Sequence, residues 1–138
     1  MHHRPTLGYG DACKALDAIL AEVARAKDAP VVVAIVDDRG DLLLYARQDG
    51  ALFISYKAAI RKAVTAALGR GPSAEVAQRY KGWGIDVEHV IGEWGTEAVG
   101  GLPIIAKDGV CLGGIGISGA FRERDVTLGK LALAAMGL

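Results

Sequence analysis

Apolar residues in the first third of the chain recur at two periods. Between residues 10 and 27, Leu16, Ile19, Leu20 and Val23 fall at i, i+3, i+4 and i+7, while Lys14, Asp17, Glu22 and Arg25 face elsewhere; this spacing predicts an amphipathic helix. Asp28-Ala29-Pro30 ends it, because proline disfavours helical geometry in the residue before it. Residues 31–36 then form an unbroken, largely β-branched run, the pattern of a strand covered on both faces. Asp37, Asp38, Gly40 and Asp41 supply turn chemistry, and residues 42–48 return as the partner strand of a hairpin.

The period changes again at residues 53–68. At 100° per residue, Phe53, Tyr56, Ala59, Ile60, Ala63, Ala66 and Ala67 gather on one side of a helix, and Lys57, Arg61, Lys62 and Thr65 on the other. The alanine-rich face permits close approach to a sheet. The basic stripe reads either as a solvated face or as a rim that holds an anion or a partner subunit. Gly69-Arg70-Gly71-Pro72 breaks the helix, and Ser73, a good N-cap, opens a short one with Glu75 in its first turn. Residues 87–91 read as a further strand followed by a loop, and residues 122–136 as a last helix with Val126, Leu128, Leu131, Ala132 and Ala135 towards the core and Gly129 allowing close contact.

Residues 100–119, GGLPIIAKDGVCLGGIGISG, organise the rest. Two apolar strands, 102–106 and 110–118, meet at Lys107-Asp108-Gly109, where Asp-Gly favours a tight hairpin turn. Glycines 113, 114 and 116 weaken a strand unless a helix or a ligand lies close against its backbone. The functional reading concentrates at the strand ends, where Gly100 and Gly101 enter and Ser118 and Gly119 leave, side by side. Ser118-Gly119 also precedes the last helix, whose free N–H groups favour anions. The predicted order is α-β-β-α-α-β-β-β-α, an α+β fold with a central antiparallel sheet flanked by helices.

Composition narrows the function classes. The 138 residues are 51% hydrophobic, enough for one domain over residues 1–138 with a sizeable core. Sixteen basic and sixteen acidic residues balance, so no global field attracts nucleic acid or an anionic membrane. No run approaches the roughly 18–20 apolar residues that span a bilayer, and the first residues lead into no signal core, so the expected location is cytoplasmic unless a removed signal exported the chain. Cys13 and Cys111 are isolated and expected to be free, buried thiols. His89 is the sole histidine away from the N-terminus, and thus the candidate general base or haem ligand, with Glu93, Trp94 and Glu97 nearby. The His89, Glu93, Glu97 spacing matches no established metal motif, and no metal is expected.

The order of GG-x-P-I, a D-G turn and G-x-I-G-x-S-G resembles the GlcG/HbpS-like family of haem-degrading or haem-binding domains, which includes the C-terminal domain of PduO-type proteins. Residues 34–51 resemble its first hairpin, and residues 59–76 its central helix and following turn. The resemblance implies a profilin-like fold, a bacterial source, assembly into a homo-oligomer, and a ligand that in some members is haem or a related tetrapyrrole. It places Lys62, in the A-x-x-K-A pattern, close to the ligand region. Where relatives cap the last helix with Thr-Pro-Glu, this chain has Phe121-Arg122-Glu123, which sets an aromatic wall, Phe121, beside the pocket. Together these readings give a small-molecule-binding oligomer with Lys62, Gly100, Gly101, Ser118, Gly119 and Phe121 at its site. The alternative is a cofactor-free hydrolase or isomerase acting on a small organic acid or ring-cleavage product, with Lys62 holding the carboxylate and His89 or Glu93 moving the proton.

Overall fold

The computed structural model describes residues 1–138. Its first helix, α1 (Tyr9–Ala26), buries Ala12, Ala15, Ile19 and Val23, one stripe at helical spacing, and stops at Lys27, whose left-handed conformation lets its N–H cap the carbonyl of Val23. Strands β1 (Val32–Asp37) and β2 (Leu42–Arg47) form the expected hairpin. Helices α2 (Phe53–Gly69), α3 (Ser73–Lys81) and α4 (Val87–Ile91) follow, then a 3-10 turn at Gly92–Trp94, strands β3 (Gly101–Ile105) and β4 (Cys111–Ser118), and helix α5 (Arg122–Met136).

The four strands pair antiparallel in the order β2-β1-β4-β3. Strand β1 is therefore internal, with Ile35 opposite Leu44 on one side and Ile115 on the other. Its alternation feeds two cores. Val33 and Ile35, with Ile115 and Ile117 of β4, join Ile19 of α1 and Leu128 of α5 on one face; Val32, Ala34 and Val36 meet Ala59, Ala63, Val64 and Ala67 of α2 on the other. That double covering is why the run at 31–36 has no polar residue. Each fully buried isoleucine or leucine here contributes about 2 kcal/mol of transfer free energy.

Two of the three glycines of β4, Gly114 and Gly116, are explained by α2, and the third, Gly113, by the Val36 carbonyl of β1. A Cβ on Gly116 would run into the carbonyl oxygen of Ala59 and lie 2.6 Å from the Ala63 nitrogen, and one on Gly114 would meet the Ala63 carbonyl oxygen. Helix and strand thus touch backbone to backbone, and a helix rather than a ligand occupies that space. The β3–β4 turn is as expected: Gly109 has φ +88° and donates its N–H to Ala106 O at 2.8 Å.

Two expectations are corrected. The strand read at 87–91 is helix α4, so the sheet has four strands and not five. Its valines and isoleucine suit a strand, but only Val87 is buried, packed on Val76 and Ala77 of α3, and Asp86 O accepts the N–H of His89 to start a helical turn. Ser73 is the first residue of α3 rather than its cap; its Oγ donates to Ala98 O at 2.6 Å and accepts from Gly101 N at 3.0 Å, tying the start of α3 to the start of β3.

Candidate functional site

The end of β4, the turn into α5 and the first turns of α2 converge. Ser118 Oγ donates to Ser55 Oγ at 3.2 Å, both side chains buried, which fixes the start of α2 against the last residue of β4. Beneath them lies a buried ion pair. Lys62 Nζ donates to Ile117 O at 2.8 Å and to Asp125 Oδ2 at 3.3 Å, and Asp125 Oδ1 accepts the N–H of Ala120 at 2.9 Å. Burial pulls the lysine below its ordinary pKa, against the pull of Asp125, and pushes the aspartate above its own, against the pull of Lys62.

Lys62 is therefore not on the basic stripe of α2. It is 5% exposed, and Thr65, placed on the same stripe by the helical wheel, is fully buried. Thr65 Oγ1 accepts from Thr96 N and donates to Trp94 O, holding the 94–96 segment on α2. Lys57 stays exposed and Arg61 half-buried.

Around this anchor, Ser55, Ser118, Gly119, Phe121, Arg122 and Asp125 line a recess of about 210 Å³ whose mouth carries Leu52 and Ile54. Ile54 also borders a second recess of about 420 Å³, walled by Phe53, Tyr56, Lys57 and Arg61, with Thr96 at one edge. The two meet at Ile54. Leu52, Phe53, Ile54 and Phe121 are 66%, 90%, 79% and 78% exposed, and Tyr56 is half-exposed. Leu52-Phe53-Ile54 was a legible signal that the sequence reading missed: three consecutive apolar residues at a helix start cannot all reach one core face. Phe53, assigned there to the sheet-facing side, projects instead to the surface, and Tyr56 is only partly covered, its ring edge-on to Tyr45 of β2, because α2 seats on β4 through its small residues.

Gly119 and Phe121 share the first recess with Ser118, whereas Gly100 and Gly101 border a different one with Ser73 and Lys130. The four glycine and serine strand ends are adjacent, as Ile117 N donates to Gly100 O at 3.1 Å. Protein fills the space beside the glycines. At Gly100 a Cβ would sit 2.9 Å from Lys62 Nζ, at Gly101 it would strike the Lys62 carbonyl, and at Gly119 the Pro30 carbonyl. Gly100 and Gly119 also hold φ values of +123° and +120°, which only glycine adopts without strain. Phe121 and Arg122 take positive φ without that excuse, +78° and +39°, at the lip of the recess.

His89 and Glu93 are exposed, on α4 and the 3-10 turn, and line neither recess. Glu97 pairs with Lys81 at 3.3 Å. No three His, Cys, Asp or Glu side chains come together to hold a metal ion. Both cysteines are free and half-buried rather than buried. The hydrolase or isomerase alternative finds no support in this arrangement, since its proton-moving groups stand apart from the buried lysine. No helix is long and apolar enough to cross a membrane.

Among curated proteins, the chain is 32% identical over 121 residues to the corrinoid adenosyltransferase PduO of Salmonella typhimurium, covering 85% of this chain and 35% of that protein. It thus spans about a third of the length of the PduO proteins it matches. An uncharacterised 15.0 kDa protein of Citrobacter freundii is also 32% identical, with 83% of this chain and 84% of that one covered. Among solved structures, a double mutant of HbpS from Streptomyces reticuli matches with a TM-score of 0.86 and 30% identity over 100% of this chain and 92% of the other. PduOC in complex with haem matches at 0.80 and 28%, over 94% of each chain. The chain thus shares its overall fold with these structures. The family described as haem-degrading protein HbpS-like matches residues 7–134, and the chain belongs to that family.

Proposed function

We propose that this chain binds haem or a related tetrapyrrole on the surface formed by the start of α2 and the β4–α5 turn. The observation that carries the reading is the contiguous exposure of Leu52, Phe53, Ile54, Tyr56 and Phe121 beside the cations Lys57, Arg61 and Arg122. A tetrapyrrole is flat and apolar with carboxylates at one edge, so it needs this combination of apolar wall and basic rim. The residues fit the group. Arg61 Nε is buried without a partner, and a ligand carboxylate at the recess would give its guanidinium an acceptor. Bound haem would supply an iron centre; the chain's own side chains would cover the ring faces, orient its carboxylates and exclude water. That PduOC, similar over almost its whole length, forms a complex with haem supports the reading.

Within it, Ser118, Gly119 and Phe121 form one wall of the site. Lys62, Gly100 and Gly101 act at one remove, since Lys62 holds Asp125 and through it the Ala120 N–H that shapes the turn before Phe121. The test is a titration with haemin followed by its Soret band. Phe53→Ser combined with Ile54→Ser should weaken binding by about 2–3 kcal/mol, the transfer free energy of the lost apolar contact, with the fold intact because both side chains lie outside the core. Equal affinity in variant and wild type would move the ligand elsewhere.

We also propose that copies of the chain associate. The outer edge of β3 is unpaired, and Leu102, Pro103, Ile105, Leu133 and Met136 line an apolar groove beside it.

A further inference from the structure

We propose that Tyr56 is the residue that ligates the iron of a haem bound at this surface; the inference rests on the tetrapyrrole reading and names the first ligand within it. Iron in haem is held by histidine, cysteine, methionine or tyrosine side chains. None of the first three lines either recess. The N-terminal segment that carries His2 and His3 is tied by Arg4 and Thr6 to Asp38, in the β1–β2 turn, at the end of the sheet opposite Ser118. His89 lies on α4, which packs on α3. Cys13 belongs to α1, across the sheet from α2; Cys111 Sγ is engaged with Ala67 O and Gly113 O; and Met136 is buried in the α1–α5 core.

Among tyrosines, Tyr9 and Tyr80 are on α1 and α3, and Tyr45 has its hydroxyl buried. Of the tyrosines, Tyr56 alone combines exposure, 45% for the residue, with a place in the wall of the larger recess. Its ring stands edge-on to Tyr45, centroids 5.5 Å apart at 72°, which restrains it. The charged side chains in that wall, Lys57 and Arg61, are both cations and no carboxylate joins them, so two ligand carboxylates would find balancing charge there, while a phenolate would be balanced by the ferric iron it binds. On binding, Tyr56 Oη gives its proton to water and a lone pair to the ferric iron; no electron is transferred and no bond of the ring is broken.

Two probes separate ligation from mere contact: haemin, and protoporphyrin IX without metal. Tyr56→Phe removes one hydroxyl from a half-exposed ring and keeps the wall. Protoporphyrin should bind wild type and variant alike, whereas haemin should bind the variant about tenfold more weakly. The wild-type ferric complex should show a phenolate-to-iron charge-transfer band and phenolate vibrations in resonance Raman spectra, both lost in the variant. An equal loss for both probes would make Tyr56 a wall and overturn the assignment. So would haemin binding that Tyr56→Phe leaves unchanged, or a ferric spectrum that His89→Ala abolishes. If metal-free protoporphyrin fails to bind wild type, the surface reading falls first and this one with it.

Discussion

The Lys62 ammonium and the Asp125 carboxylate are each largely removed from water, and each is tolerable only through the other and through the backbone groups they bind. Lys62→Met should therefore cost about 3–5 kcal/mol in urea unfolding, because it strands a buried carboxylate, while Lys62→Met with Asp125→Leu should recover most of that loss. Lys57→Met, at the surface, should stay within about 0.5 kcal/mol. This pair also marks how far the site was legible. Lys62 could be singled out from its sequence context, but its burial depends on Asp125, 63 residues away, and no periodicity reports such a partner. On the wheel Lys62 falls near the border between stripes, and only the tight seating of α2 on β4 decides that it turns inward. Ser55 and Asp125 carried no local signal at all. His89 drew attention for its chemistry, and the fold leaves it exposed and in the wall of neither recess.

Most elements could be read from pattern because each had one dominant cause: helical spacing in α1, an apolar run in β1, Asp108-Gly109 between β3 and β4. Helix α4 could not, since five residues with one buried position give strand and helix equal standing. The seating of α2 on β4 gives the sharpest prediction at this scale. Gly116→Ala should cost about 3 kcal/mol or leave no soluble protein, because its methyl group would displace the Ala59 carbonyl. Gly109→Ala, with open space around it and φ +88°, should cost only about 1 kcal/mol of backbone strain. A second link joins α1 to α5: Arg124 binds Asp28 at 2.7 Å and Glu22 at 2.9 Å, and Arg25 binds Glu22 as well. Arg25 first, then Arg124, hold the Glu22 carboxyl down at about 2, below its ordinary 4.5. A depressed carboxylate stabilises the fold above its ordinary value and loses that contribution as pH falls through the folded one. Stability measured from pH 4.5 down to 2 should accordingly fall less steeply in Glu22→Gln than in wild type.

For the molecule as a whole, the unpaired edge of β3 and its apolar groove predict a mass by light scattering above the 14.4 kDa of one chain at micromolar concentration, and Ile105→Lys should shift it towards that value. A mass of one chain in the wild type would remove the idea. The strand order has a consequence in time. Because β1 also pairs with β4, Val32, already opposite Arg47, finds its second partner only at Ser118, so the sheet cannot close until residue 118 has been synthesised. Until then the β1–β2 hairpin has a bare edge, and α2 has no β4 on which to lie. A nascent chain stopped short of residue 118 would therefore be sticky and open to proteases, and the emergence of β4, rather than of β1, determines when this fold is protected.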